Sequence, residues 1–393
     1  MIALISYLLS IWEWLMNWLK DQQEKLFSGK AIELDSGIKV RLGRELAQGG
    51  YSLVYRATDA SNPSIIYAVK CIRCQNDPEL RSGCVEEGKI HRRLQQAQDR
   101  FEDDSPMYCM PLYGMTFEDN NEVCYMAFPY LPHSLREEVN QRIFDPPAIS
   151  SSPPPPWSES VALKLFDHLC EAVALMHREG VTHRDIKLEN VLFQGSNTKH
   201  LQAPILMDFG SAGPLLRSLL SRKDVLEVPE EAGQHTTMPY RPPELFPGEL
   251  RVGDSDVDYT KVDVWSLGCT LFAILFGASP FECEFTRNRR SMMGSPTQNQ
   301  QQQHQGAPIK IVDCTQLRVL GSIPKPPPNT AVEKWYSPQV LDLIEFILEK
   351  DRLKRPTLAQ VQMRVKAVLK GDNVDLEDPI EDLFSNSRHQ GSW

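Results

Sequence analysis

The segment H-R-D-I-K-L-E-N, from His183 to Asn190, places three reactive groups close together in the chain. It offers a carboxylate at Asp185, an ammonium at Lys187 and a side-chain amide at Asn190. Phosphoryl transfer to a hydroxyl needs all three: one group to orient the hydroxyl, one to offset charge on the moving phosphoryl, and one to hold a metal ion. The segment therefore predicts phosphoryl transfer, and a nucleotide site is expected upstream.

Length and composition set the outer limits. The chain has 393 residues, enough for one large two-lobed domain or two ordinary ones. Its net charge of -10 argues against a nucleic-acid partner. The nine cysteines form an odd, scattered set, which favours a reducing compartment. The lone C-x-x-C at Cys71 and Cys74 is interpreted as thiols on a strand, with a zinc or redox site as the weaker alternative.

Residues 1–19 are mostly apolar, have Glu13 as their only charged residue and carry three tryptophans. As a helix this segment measures about 28 Å, close to the thickness of a bilayer's hydrocarbon core. One narrow stripe down such a helix collects the polar residues Ser6, Ser10, Glu13, Asn17 and Lys20.

Several interpretations of this segment remain open. A cleaved signal peptide is disfavoured because no Lys or Arg precedes the apolar run. A spanning anchor fits the length, whereas an in-plane helix or a helix packed on a partner fits the polar stripe. A helix buried on the protein's own body is the remaining alternative. We expect residues 1–20 to attach the chain to a membrane, and Ile2 excludes N-myristoylation.

A candidate phosphate loop lies at residues 44–55, R-E-L-A-Q-G-G-Y-S-L-V-Y, which follow a hairpin pattern around D-S-G. The pattern predicts a strand, a small-residue turn and a second strand. Gly49 and Gly50 let the backbone approach a polyphosphate, and Val54 can cover an adenine ring.

The strand I-Y-A-V-K follows and ends at Lys70. Ala68 is small enough to pack on adenine, and Lys70 is the candidate phosphate-binding cation. A carboxylate must hold that lysine, and the helical stretch 84–94 supplies Glu87 as the first choice and Glu86 as the second.

Residues 123–131 form an apolar strand pattern. Its end, at Pro129 and Tyr130, is a segment whose backbone can bond a purine. Phe128 is the candidate gatekeeper. Farther on, I-L-M-D-F-G-S places Asp208 at a strand end before Gly210. The Asp208 carboxylate is the hard oxygen ligand that Mg²⁺ prefers.

In this order the motifs resemble the landmarks of eukaryotic protein kinases over residues 30–370. The stretches G-G-Y-S-L-V-Y, I-L-M-D-F-G-S-A, T-M-P-Y-R-P-P-E-L-F and D-V-W-S-L-G-C-T-L-F-A-I-L-F-G-A-S-P-F are similar to the Numb-associated kinase family, most of all to its Golgi-associated, myristoylated and palmitoylated serine/threonine kinase branch. The resemblance implies an α+β, bilobal fold with a small β-rich N-lobe and a larger helical C-lobe. It also implies ATP and Mg²⁺ as cofactors, autophosphorylation and a secretory-pathway role.

The resemblance further assigns structural roles. Glu244 is similar to a glutamate that closes the activation segment and pairs with an arginine, here Arg355. Thr237 is expected to face Asp185 and its neighbouring lysine. Asp263 is expected to bind the backbone of the catalytic loop.

The chain also departs from the family pattern. Ala47 and Ser52 stand where the phosphate loop has glycines, and the lipidation signal of the related branch is absent. Lys187 is the residue typical of serine/threonine specificity. An additional helix is expected within the activation segment, around residues 214–227.

Two insertions are predicted in the C-lobe, a proline-rich one at 145–157 and a low-complexity one at 286–308. The expected domains are a membrane-attachment helix (1–20), a linker and first hairpin (21–40), the N-lobe with its hinge (41–131), the C-lobe (132–370) and an acidic mobile tail (371–393).

The sequence thus predicts a serine/threonine protein kinase on the cytoplasmic side of a membrane, at the Golgi or another secretory-pathway compartment. Its expected partners are protein substrates, the chain itself and a membrane contacted through residues 1–20, with no nucleic acid. The alternative is a kinase-fold scaffold with little turnover, which the altered glycine loop supports.

Overall fold

The computed structural model describes residues 31–49, 52–101, 106–118, 120, 122–144, 155–193, 203–286 and 308–371. The predicted membrane-attachment helix, Gly50, the tail after residue 371 and most of both insertions lie outside the described residues. The chain divides into two compact units, Met1–Gln96 with Met110–Leu131, and Ala97–Cys109 with Pro132–Trp393.

The first unit is built on an antiparallel sheet in the order β1-β2-β3-β4-β6-β5, together with one long helix. Its described elements are β1 (Ala31–Glu33), β2 (Lys39–Gln48), β3 (Ser52–Asp59), β4 (Ile66–Arg73), α1 (Pro78–Gln98), β5 (Gly114–Glu118) and β6 (Val123–Pro129).

The hairpin predicted around D-S-G is confirmed as β1 and β2, with Ala31 opposite Arg41. Alternate residues of these strands are buried, among them Ile32 and Val40, because strand side chains point to opposite faces in turn. Gly37 has a φ of 82°, which a glycine adopts in the turn without steric cost.

The second unit is mainly helical. Its described elements are β7 (His133–Ser134), α2 (Leu135–Ile143), α3 (Glu159–Arg178), β8 (Val191–Phe193), β9 (Pro204–Leu206), β10 (Leu216–Arg217), α4 (Arg222–His235), β11 (Val257–Asp258), α5 (Tyr259–Phe276), β12 (Cys283–Phe285), β13 (Ile309–Ile311), α6 (Gln316–Leu320), α7 (Pro338–Ile347) and α8 (Leu358–Gly371).

The core of this unit is formed by α5, which packs against α3 and α7. By length and composition α5 is the one helix in the described part of the chain that could cross a bilayer, yet 89% of it is buried within the protein. α5 is therefore a buried core helix of this unit. A methyl group at Gly268 would lie 2.7 Å from the Ile347 side chain. The glycine therefore allows α5 and α7 to pack closely at this point.

The structure changes the sequence-based boundaries in two places. Residues 97–101 and 106–109, which were expected in the N-lobe, belong to the second unit. Cys109 pairs with Leu206 of β9, and the Leu206 N–H donates to the Tyr108 carbonyl at 2.9 Å. The proline-rich insertion was predicted to extend to residue 157. Instead Trp157 is buried beneath the Arg142 guanidinium, whose carbon lies 4.0 Å from the ring centre.

A buried ion pair joins distant parts of the second unit. Arg355 donates to both carboxylate oxygens of Glu244, at 2.6 and 2.9 Å, and its side chain has no exposed surface. Arg355 also donates to the carbonyls of Glu349 and Lys261. Because each charge neutralises the other inside the protein, loss of either partner would leave a buried charge without compensation.

Candidate active site

In the first unit, strand register aligns three of the predicted nucleotide-binding residues. Ala47 lies opposite Val54, and Val54 lies opposite Lys70. Residues that face each other across neighbouring strands point to the same side of a sheet, so these three side chains share one face. Ala68, two residues before Lys70 on β4, shares that face and lies opposite Phe128.

The expected lysine–carboxylate pair is present. Lys70 Nζ donates to Glu87 Oε1 at 2.7 Å, and both side chains are largely buried, with 16% and 5% exposure. Glu86, the second choice, faces solvent and pairs with Lys89 on its own helix. Helical geometry explains the difference, because adjacent residues on α1 point about 100° apart.

The remaining predicted nucleotide contacts lie at the ends of these strands. The Gly49 N–H donates to the Ser52 carbonyl at 2.7 Å, which closes the turn at the phosphate loop. Pro129 ends β6 opposite Tyr67, and the Tyr130 ring follows with the Arg56 guanidinium 6.0 Å from its centre.

In the second unit, the catalytic loop is tied to α5 by Asp263, which is fully buried. Its carboxylate accepts the backbone N–H groups of His183 and Arg184, at 2.9 and 2.8 Å. His177 adds a third contact through Nε2, at 2.8 Å. The structure thus places Asp263 against the catalytic-loop backbone, as the resemblance implied.

These bonds hold Arg184 in an unusual conformation. Its φ of 68° lies in the left-handed region, which costs a non-glycine residue about 1–3 kcal/mol. The guanidinium carbon lies 4.0 Å from the centre of the Tyr259 ring, a favourable cation–π distance. Gly213 lies directly against this guanidinium, and a methyl group there would overlap it.

The reactive groups of the loop converge on one hydroxyl. Thr237 donates its Oγ1 hydroxyl to Asp185 Oδ1 at 2.6 Å and its backbone N–H to the same oxygen at 3.0 Å. Lys187 Nζ lies 2.7 Å from both Asp185 Oδ2 and Thr237 Oγ1. The Asp185 carboxylate and the Lys187 ammonium thus both contact the same hydroxyl, which is the arrangement that a phosphoryl acceptor needs.

The chain offers suitable oxygen ligands for a metal ion. The side-chain N–H of Asn190 donates to the Asp185 carbonyl at 2.8 Å. The amide oxygen of Asn190 is therefore the atom that can bind a cation. The Met207 N–H donates to the Asn190 carbonyl at 3.0 Å, so the residue before Asp208 is bonded to the catalytic loop. Asp208 itself has a φ of 66°, and Gly210 lies in the short 3₁₀ turn that follows.

This donor set fits Mg²⁺ bound together with a nucleotide, because that ion takes few protein ligands and keeps water and phosphate oxygens. Among the described residues, no group of three or more His, Cys, Asp or Glu could hold a metal ion. All nine cysteines are free thiols, and eight of them are buried. Cys71 lies on β4 and Cys74 directly after it, and both thiols are buried in the first unit.

The additional helix of the activation segment was expected around residues 214–227, but it begins later, at Arg222, and continues to His235. Leu216 and Arg217 form β10, paired with β11, and α4 begins only after Ser221. Ser221 and Asp224 form a reciprocal capping box that fixes this start. Burial and the nearby Arg184 charge lower the pKa of His235 at the end of α4.

Several residues of the site were missed by the sequence reasoning. His183 Nε2 lies 3.0 Å from the Met207 carbonyl, and its ring meets Phe209 edge-on. His177 and Tyr259 contact the loop from other elements. The H-R-D motif contains His183, but nothing in the sequence shows that His177 and Tyr259 contact the catalytic loop.

Comparison with known proteins agrees with this geometry. The family described as the protein kinase domain matches residues 40–365. The chain belongs to this family. Its α+β kinase fold, expected from the sequence, is confirmed by the match and by a solved structure of vaccinia related kinase 3, which covers 90% of this chain and 94% of that chain with a TM-score of 0.56 and 14% identity.

The similar proteins include serine/threonine kinases. A probable serine/threonine-protein kinase of Dictyostelium discoideum is 27% identical over 85% of this chain but only 24% of that protein. Serine/threonine-protein kinase 16 of Homo sapiens is 26% identical over 62% of this chain and 72% of that protein. The chain thus spans about a quarter of the first relative.

We predict that the Thr237 hydroxyl is required for phosphate transfer. Thr237→Val removes a hydrogen bond to each of two charged groups and should lower the rate about 10-fold to 100-fold, whereas Thr237→Ser keeps the hydroxyl and should retain most of the rate. Initial rates of labelled phosphate incorporation measure both. Equal losses in the two variants would show that the hydroxyl is irrelevant.

Proposed function

We propose that this chain is an active serine/threonine protein kinase that transfers the γ-phosphate of ATP to protein hydroxyls. The observation that carries the proposal is the hydroxyl of Thr237, held between Asp185 Oδ1 at 2.6 Å and Lys187 Nζ at 2.7 Å. An acceptor hydroxyl needs the same two contacts, one to take or orient its proton and one to offset charge on the transferring group.

The chain's own residues perform the remaining tasks. Lys70, held by Glu87, binds the α- and β-phosphates. Asn190 and Asp208 would hold Mg²⁺ through their side-chain oxygens. When bound, Mg²⁺ neutralises the negative charge of the phosphates. The proposed adenine and phosphate contacts are Ala47, Gly49, Gly50, Val54, Ala68, Pro129 and Tyr130.

The proposal extends to the acceptor residues, to autophosphorylation and to the kinase family. Lys187 favours serine and threonine as acceptors, and the names of the similar proteins support that assignment. We include autophosphorylation and membership of the Numb-associated family in the proposal. Their support is the set of motifs quoted above.

We further propose attachment to a membrane through residues 1–20. The support is the sequence alone: an apolar run of suitable length with aromatic residues near one end. The catalytic residues then face the cytoplasm, where ATP is available. A secretory-pathway membrane such as the Golgi agrees with the motif resemblance.

The kinase proposal predicts that phosphate transfer depends on Asp185. Full-length protein with Mg-ATP labelled at the γ-phosphate should label itself and a generic protein substrate, mainly on serine and threonine. Asp185→Asn should lower incorporation by about a thousandfold, because it removes the proton acceptor while keeping the side-chain size. Asp99→Asn, at an exposed position, is the matched control and should behave as wild type.

The scaffold alternative makes the opposite prediction. It expects no difference between wild type and Asp185→Asn in phosphate incorporation, together with Mg-ATP binding that is lost in Asp208→Asn. Equal incorporation by wild type and Asp185→Asn would remove the kinase proposal.

The membrane proposal predicts that residues 1–20 carry the affinity for lipid. In flotation with phospholipid vesicles, the full chain should float and a chain beginning at residue 21 should stay in the soluble fraction. Phosphate transfer by both chains, measured in detergent, controls for folding. Equal flotation of the two would contradict the proposal.

A further inference from the structure

His91 lies on α1 one helical turn after Glu87 and has only 1% of its surface exposed. Its ring packs against Phe128 of β6, with 4.9 Å between the ring centres. The ring is therefore a titratable group inside the core of the first unit.

The orientation of the ring fixes the position of one proton. His91 Nδ1 lies 2.8 Å from the carbonyl oxygen of Met110. A carbonyl oxygen can only accept, so Nδ1 carries a hydrogen and donates it. Consequently, Nε2 is the nitrogen that gains or loses a proton when the ring titrates.

Nε2 faces the anchor of the phosphate-binding lysine. It lies 3.9 Å from Glu87 Oε1, the same oxygen that accepts from Lys70 Nζ at 2.7 Å. At this separation an imidazolium attracts the carboxylate, whereas a neutral ring presents a lone pair to it. The protonation state of His91 therefore decides whether an imidazolium competes with Lys70 for Glu87 Oε1.

We propose that His91 is a positioning residue for the Lys70–Glu87 ion pair and makes nucleotide binding sensitive to pH through that pair. The inference rests on the proposed kinase function only for the role of Lys70. The contacts that carry it, from His91 to Met110, Phe128 and Glu87, all lie within the first unit.

The sign of the effect follows from competition for Glu87. Below the titration midpoint of His91, the imidazolium draws Glu87 Oε1 away from Lys70, which weakens the hold on the phosphate-binding ammonium. Above the midpoint, the neutral ring no longer competes with Lys70 for Glu87 Oε1. We therefore expect weaker ATP binding on the acidic side.

Other titratable groups surround this carboxylate. Cys84 on α1 and Cys124 on β6 interact electrostatically with Glu87, and hydrogen bonding between the two thiols lowers the pKa of Cys84 and raises that of Cys124. Both thiols are retained when His91 alone is replaced. A difference between wild type and a His91 variant thus reports the ring and not the thiols.

The first test is a titration of the histidine rings by NMR on the full-length protein with labelled histidine, with His91 assigned by His91→Asn. We expect the His91 midpoint to be lower in Glu87→Gln than in wild type, because the carboxylate favours the imidazolium. His168, whose Nδ1 contacts the Lys164 carbonyl at 2.9 Å, is the internal control and should keep its midpoint.

The second test compares KM for ATP between about pH 8 and pH 6. His91→Asn keeps a donor for the Met110 carbonyl but cannot titrate in this range. The ratio of KM for wild type to KM for His91→Asn should rise about fivefold on acidification, while titration of ATP itself cancels in the ratio. His168→Asn is the matched control and should follow wild type.

The two tests separate this inference from the proposed function. An unchanged His91 midpoint in Glu87→Gln, a ring that does not titrate, or a constant or falling KM ratio would overturn the inference. If wild type transfers no phosphate, the proposed function fails, and the NMR titration on the same protein still decides whether His91 and Glu87 are coupled.

Discussion

The buried carboxylate of Asp263 is the contact on which the catalytic loop depends. It is anchored in the core helix α5 and accepts the N–H groups of His183 and Arg184. Hydrogen bonds to a charged acceptor contribute about 1.5–3 kcal/mol each. That is comparable with the strain of a left-handed Arg184, so one side chain can hold a backbone conformation that the loop would otherwise leave.

That conformation determines the position of Asp185, the next residue in the chain. Met207 extends the same network, because its N–H bonds the Asn190 carbonyl and its own carbonyl accepts from His183 Nε2. Asp185, Asn190 and the segment that leads to Asp208 are thus connected by hydrogen bonds within the second unit. The first unit contributes its own rigid pair, Lys70 with Glu87.

The sequence predicted best where a local pattern specifies a contact. Glu87 could be preferred over Glu86, and the hairpin around D-S-G could be placed, because helix and strand periodicities fix which side chains point inward. It failed where contacts between distant segments decide. β10 occupies part of the range expected for the helix because it pairs with β11, and Trp157 is buried where the Arg142 guanidinium covers its ring. The position of His91 beside Glu87 was likewise not foreseen, although the two are four residues apart on one helix.

The most direct test is to weaken the Asp263 contact and follow the loop and the chemistry together. In Asp263→Asn, hydrogen exchange at the His183 and Arg184 amides should accelerate, and single-turnover phosphate transfer should fall about a hundredfold. Asp258→Asn, at the N-cap of the same helix, is the control and should leave both amides protected. An Asp263→Asn protein that keeps those amides protected and transfers phosphate at the wild-type rate would contradict the dependence of catalysis on this carboxylate.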